Sequence, residues 1–291
     1  MSSLQYQEFI AERTRLLERI KELETENTEL RKRLGEPVTP APPAPNAILN
    51  LSLQDKIELF CSLFKGRDDV FARRWCSKIS GKAGYQPVCQ NEWTPLCDKR
   101  KYKCADCPNR LFSPLTYNDY YRHLEGKDAD GRDVMGIYVL NVDNTCHLLC
   151  ADFDDKNCEH GYQDDVLAFV DVCKSWNVPC SIERSRSGNG AHVWIFFESP
   201  VLAVKARRLG YAILTEAMNR EGKISFKSYD RFFPNQDTLP EGGLGNLVAL
   251  PLQGNARKNG NSVFVNEFFE PYPDQWEYLL NVRKLSEQAL E

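Results

Sequence analysis

His147-Leu148-Leu149-Cys150-Ala151-Asp152-Phe153-Asp154-Asp155 is an apolar run of strand length that ends in three carboxylates. In a strand, side chains two apart share a face, so Asp152 and Asp154 project together. Carboxylates that close repel each other unless cations lie between them. Hard divalent ions such as Mg2+ or Mn2+ favour oxygen ligands of this kind, and a pair of such ions is the machinery of phosphoryl and nucleotidyl transfer. A solvated strand end would also produce Asp-x-Asp, so the pattern needs support from elsewhere in the chain.

Working outward, short apolar segments alternate with stretches of helical spacing. Residues 136–140 read as a strand joined to 147–152 by a turn at Asp143-Asn144, and 180–183, 191–197, 246–250 and 262–265 read as further strands. Helical spacing covers 164–176, 203–220 and the closing 276–290. Upstream, Ser52 followed by Asp55 forms a capping-box start for a helix running through Phe60 and Phe64 to Gly66. Hairpins mixed with crossover helices predict an α+β fold with at least one mostly antiparallel sheet.

Two more segments carry chemistry. Arg184-Ser185-Arg186-Ser187-Gly188-Asn189-Gly190-Ala191-His192 is a Ser/Gly turn leading into a strand that His192 begins. Backbone N–H groups and hydroxyls in such a turn can close on a phosphate, although a plain hairpin connection with a core histidine would read the same way. In Ser228-Tyr229-Asp230 a single acid is placed to add a third ligand to the pair at Asp152 and Asp154.

Cys89, Cys97, Cys104 and Cys107 are spaced C-x7-C-x6-C-x2-C. Their polar, proline-containing loop is a poor place to bury free thiols, so the spacing predicts a structural zinc site, with Cys76 as a substitute ligand. Cys146 and Cys150 fall within a strand and read as packing residues, apart from the looser grouping with His147, Cys158 and His160. Between residues 65 and 127 there are thirteen Lys or Arg against seven Asp or Glu, interleaved with Phe71, Trp75, Tyr85, Trp93 and Tyr102. That mixture suits phosphate contact and base stacking, with Arg67, Arg73, Arg74, Lys101 and Lys103 as candidate contacts; a solvated surface is the alternative.

The first 34 residues differ from the rest: they hold no Gly, Pro or Cys. Phe9, Leu16, Leu23 and Leu30 repeat at one heptad position, and Arg13, Ile20, Asn27 and Leu34 at the other. The pattern predicts a coiled-coil helix over 1–34 and a parallel homodimer through 9–34, with Asn27 setting register; a solitary amphipathic helix is the alternative. Five prolines make 35–47 an extended linker. The body then divides into a helical and zinc-binding part (48–134) and a catalytic core (135–291).

Over 291 residues the formal net charge is −4, with 42% hydrophobic and 27% charged residues, which argues against wholesale disorder. No apolar run approaches a membrane span, and the start lacks the pattern of an export signal, so a cytoplasmic protein with reduced cysteines is expected.

The order of these motifs resembles the archaeo-eukaryotic primase superfamily of primases and primase-polymerases, and most closely the primase domain of TOTE-type conflict systems. The likeness runs over nearly all of 51–280. It includes Phe64-Lys65-Gly66-Arg67-Asp68-Asp69-Val70, Asn91-Glu92-Trp93, His123-Leu124-Glu125-Gly126, the Ser185–His192 turn, the segments 228–237 and Gly245-Asn246-Leu247-Val248-Ala249-Leu250-Pro251-Leu252-Gln253-Gly254. The resemblance implies an α/β unit plus an RRM-like sheet with a zinc insertion. It also implies a primase-polymerase acting on a DNA template and primer with nucleoside triphosphates in DNA replication, with a helicase as a further partner. Asp152, Asp154 and Asp230 would be the Mg2+ or Mn2+ ligands of a two-metal reaction. His192, Ser185, Arg186, Ser187 and the turn Gly188, Asn189, Gly190 would hold the triphosphate, with Arg257 and Lys258 near it. The superfamily's Ser-x-His is Gly190-Ala191-His192 here, which moves phosphate contact to the backbone or Ser187. A metal-dependent nuclease and a silent zinc-containing nucleic-acid-binding module are the competing classes; neither needs a triphosphate cradle.

Overall fold

The computed structural model describes residues 15, 19, 51–155, 161–221 and 227–290. The chain separates into two units, residues 1–50 and residues 51–291. Within the first, Arg15 and Arg19 are helical and exposed. The coiled-coil core positions, the proline linker, Cys158, His160 and residues 222–226 lie outside the described residues.

The second unit opens with α1 (Leu53–Leu63), where Ser52 accepts from the Asp55 backbone N–H and Asp55 caps Ser52 in return. Then follow β1 (Phe71–Cys76), β2 (Ala83–Pro87), a short 3-10 turn at Cys104–Asp106 and α2 (Tyr117–Glu125), capped by the same device at Thr116 and Asp119. Next come β3 (Met135–Tyr138), β4 (Thr145–Asp154), α3 (Gly161–Ser175), β5 (Ser181–Arg184), β6 (Gly190–Leu202) and α4 (Ala203–Glu221). The chain continues through β7 (Tyr229–Phe233), β8 (Leu247–Ala249), α5 (Gly254–Arg257), β9 (Val263–Val265), α6 (Gln275–Leu280) and α7 (Glu287–Leu290).

The strands form two sheets, β2-β1-β3-β8 and β7-β4-β6-β5-β9, in which every strand pair is antiparallel. One face of the five-stranded sheet carries Phe153 and Phe232, packed against Phe169 of α3 and Tyr211 of α4. Its other face meets the end of α1, where Phe64 packs edge-on against Trp194 and Phe196 at 5.1 and 5.3 Å. Phe71, Met135 and Ile137 of the four-stranded sheet belong to the same buried core, so the sheets share an interior.

Three expectations change. The turn after Val142 exists, with Thr145 donating to Asp143 Oδ1 at 3.0 Å. It does not close a hairpin, because β3 and β4 belong to different sheets; the linking Val139 and Leu140 are fully buried as the chain crosses the core. Residues 276–290 are not one helix: the Leu285 N–H donates to Phe196 O at 2.8 Å, and this bond to β6 interrupts it. The segment expected to be helical and zinc-binding also holds the β1–β2 hairpin. Phe-Ala-Arg-Arg-Trp-Cys lacks the clean alternation that marks a half-buried strand.

Candidate functional site

Asp152 and Asp154 lie on β4 and turn away from Phe153, which is buried. Asp152 pairs across β6 with His192, and His192 pairs across β5 with Glu183. On the other side Asp152 opposes Arg231 of β7. Directly opposed residues share a face, so Arg231, Asp152, His192 and Glu183 form a charged row across the sheet.

Asp230 reaches this face through an irregularity. Asp152 opposes Arg231, but Phe153 opposes Tyr229, leaving Asp230 as the extra residue of a β-bulge. Regular pairing would set Asp230 opposite Phe153, on the core side; the bulge re-aims it. The bulge is anchored from below: the Asp154 N–H donates to Ser228 O at 2.8 Å, and Ser228 donates through N and Oγ to buried Asp165 of α3 at 3.2 and 2.5 Å. As a result one oxygen from each of Asp152, Asp154 and Asp230 lies within 4.8 Å of the others. Burial raises the Asp152 carboxyl's affinity for its proton; His192 and Arg231 oppose this, while Asp154 and Asp230 add to it. Arg231 Nε lies 2.5 Å from Asp230 Oδ2.

His192 Nδ1 is 2.7 Å from Glu183 Oε2, and its Nε2 is 3.5 Å from Asp152 Oδ1. Trp194 Nε1 donates to the same Glu183 oxygen at 3.0 Å. Burial works against the imidazolium, but the charge and hydrogen bond of Glu183, with Asp152 and Asp154, outweigh it and hold His192 up to about 9. Glu183 (1% exposed) and Asp165 are functional candidates that the sequence reading missed. Their only local signal is an acid within an apolar strand or helix.

The Ser/Gly turn adjoins this row. Ser185 Oγ and Ser187 Oγ are 3.1 Å apart, the Gly188 N–H donates to Ser185 O at 3.0 Å, and Gly188 takes φ +83°. Gly190 sits opposite Asp154. A Cβ there would come 2.4 Å from Phe153 O and 3.0 Å from Asp154 Oδ1, so close packing of the aspartate strand accounts for glycine at the position where the superfamily often has serine.

The remaining candidates are dispersed. Arg257 is partly buried and donates to Leu124 O at 2.8 Å, while Lys258 is exposed. The Arg67 guanidinium is held by Asp69 at 2.7 and 2.5 Å and by Gly243 O at 2.8 Å. Arg73 lies 3.4 Å from Asp119, and Arg74 donates to Asp130 O at 2.6 Å. Lys101 and Lys103 are exposed, the former over the Tyr102 ring. Cys89, Cys97, Cys104 and Cys107 line one small cavity of about 30 Å³. Their sulfurs do not reach the mutual 4.8 Å spacing of the aspartates, the one such group among the described residues. Burial pushes the Cys104 thiol up, as do Cys97 and Cys89, against the pull of Lys99. Cys146 and Cys150 are buried in β4 as packing residues.

Two antiparallel sheets, with α3 and α4 on one face of the larger and a carboxylate trio on the other, define a mixed α/β protein with an acidic site suited to hard cations. The model of the TOTE conflict system, Archaeo-Eukaryotic Primase domain, matches residues 55–291, and the chain belongs to that family. Among solved structures it is similar to the polymerase domain of Mycobacterium tuberculosis Ligase D in complex with DNA. The identity is 10% and the TM-score 0.40, over 81% of this chain and 86% of that one. No curated protein matches. Among the described residues, no helix is long and apolar enough to cross a membrane.

Proposed function

We propose that the chain is a primase-polymerase that joins nucleoside triphosphates to a nucleic-acid 3′ end on a DNA template. The observation that carries this reading is the convergence of Asp152, Asp154 and Asp230 beside His192 and the Ser/Gly turn. Three clustered carboxylates, of which one is made reluctant to ionise by burial, fit a site completed by hard divalent cations. Mg2+ or Mn2+ bound there would neutralise phosphate charge and activate a 3′-hydroxyl for attack on an α-phosphate.

The chain's own groups have separable tasks. The three aspartates would hold the ions. His192, its Nδ1 held by Glu183, directs Nε2 toward a phosphate oxygen. The Ser185 and Ser187 hydroxyls and the turn of Gly188, Asn189 and Gly190 hold the β- and γ-phosphates, with Arg186 and Lys258 at the rim. Arg257 steadies the wall by its bond to Leu124 O.

We further assign Cys89, Cys97, Cys104 and Cys107 to a structural zinc ion. The cavity they share holds roughly one water's volume, and the Leu111 N–H donates to Cys89 Sγ at 3.3 Å. Dimerisation through 9–34 and partnership with a helicase complete the reading. The test is incubation of protein, template and labelled ribo- or deoxynucleotides with and without primer. Wild type extends or initiates strands, and Asp152→Ala stays at background. Full incorporation by Asp152→Ala, or template incision without nucleotide, would sink the proposal.

A further inference from the structure

The Asn91-Glu92-Trp93 motif has no task in the reaction above, yet the fold invests in its geometry. Trp93 is 83% exposed and takes φ +66°, a left-handed conformation that bulky residues rarely adopt. Its neighbours are pinned: Glu92 Oε1 accepts from Gln86 Nε2 at 2.5 Å and Lys99 Nζ at 2.7 Å, and Asn91 Nδ2 donates to Asn109 O at 2.6 Å. The cysteine-bearing loop thus presents an indole to solvent from a braced backbone.

That indole borders a groove of about 530 Å³ lined by Arg73, Arg74, Trp75, Trp93, Arg122 and Arg132. The carboxylates in its wall are engaged, Glu92 by Lys99 and Asp128 by Arg132 at 3.4 Å. Arg74 spends one N–H on a carbonyl, which leaves its charge uncancelled. Arg122 is exposed in the last turn of α2, and the buried Arg73 Nε has no hydrogen-bond partner. Trp75 is 38% exposed and lies against Gly84 of β2. Guanidinium groups interleaved with accessible indoles match a phosphate backbone bearing unpaired bases.

We infer that this groove binds single-stranded nucleic acid, with Trp93 and Trp75 stacking bases and Arg74 and Arg122 meeting phosphates. The inference rests on the template-directed reading and deepens it. Arg74 pairs across the hairpin with Tyr85, and the Tyr85 hydroxyl reaches the Arg186 side chain of the nucleotide turn. A strand in the groove is therefore one hairpin away from the incoming nucleotide, where the unpaired template belongs.

Fluorescence anisotropy with a fluorescein-labelled DNA single strand, and with a blunt duplex of the same sequence, tests this. Trp93→Ala is expected to weaken single-strand binding about tenfold and spare the duplex, and Trp93→Phe to restore most of the loss. Arg122→Gln should reduce the slope of log affinity against log salt by about 0.7. Unchanged single-strand affinity in Trp93→Ala, or an equal loss on the duplex, overturns the groove. The anisotropy is read without nucleotide or divalent metal, so the two readings fail separately: the groove by single-strand binding that does not depend on Trp93, the catalytic reading by absent incorporation in wild type.

Discussion

His192 stands between two acids that make different demands on it. Glu183 takes Nδ1 at 2.7 Å, and Asp152 faces Nε2 at 3.5 Å, so one ring position is fixed and the other points into the site. Because Glu183 is buried and also accepts from Trp194, its loss would free the ring and leave an indole N–H unsatisfied. Glu183→Gln keeps an acceptor and removes the charge that holds His192 protonated. We expect it to raise KM for the nucleoside triphosphate about tenfold, the worth of one charge-assisted hydrogen bond, with kcat changed less; equal effects on both parameters would argue for a general structural role. Asp152→Asn should bring kcat to background while nucleotide binding in Ca2+ persists. The Asp-x-Asp face was legible in the residues because a strand's period of two needs no partner. Glu183 was not, since its meeting with His192 depends on the register of β5 against β6.

At the scale of elements, the bulge in β7 decides whether there is a three-acid site. Asp165 holds Ser228, and Ser228 holds the strand at the point where the extra residue enters. Asp165→Ala removes two accepted hydrogen bonds from a buried seryl group. It should cost about 2–3 kcal/mol in urea unfolding and reduce incorporation even under conditions where the variant is fully folded. Gly190→Ala places a methyl against Phe153 O and should disturb the β4–β6 pairing beside Asp154, with loss of activity exceeding loss of stability. For the cysteine loop, inductively coupled plasma analysis should find about one zinc per chain. Chelation or Cys104→Ser should lower the Tm, because that loop has little apolar surface of its own. The β1–β2 hairpin escaped notice because Arg73, Arg74 and Trp75 interrupt the alternation that signals a strand.

For the whole molecule, buried His123 ties three distant segments. Its Nδ1 accepts from the Met135 N–H at 3.1 Å, and Nε2 lies 2.9 Å from Pro251 O, which makes Nε2–H the donor. Nearby, the Gly126 and Gly254 backbones meet so closely that a Cβ on Gly126 would fall 2.1 Å from the Asn255 nitrogen. Burial holds His123 neutral and pushes it down to about 4 from 6.5. Between those values the unfolded chain binds more protons than the folded one, so stability falls as pH drops from about 6.5 and levels near 4. The loss amounts to roughly 3 kcal/mol. Urea unfolding at pH 7 and pH 4.5 measures it, and His123→Leu should flatten that part of the profile.

The residues alone determined what depends on local periods: the capped start of α1, the apolar β4 ending in two aspartates on one face, the Ser/Gly turn before His192, and the helices α3 and α4. They also carried the motif order that places the chain among the TOTE archaeo-eukaryotic primase domains. Only the tertiary structure decided that β3 and β4 part into different sheets, that Asp230 turns toward Asp152, and that Glu183 backs His192. It also showed Arg67 and Arg257 engaged within the fold. Backbone geometry sets side-chain direction within a strand or helix, whereas register, bulges and buried partners arise when segments far apart in the chain compete to satisfy the same hydrogen bonds and fill the same core.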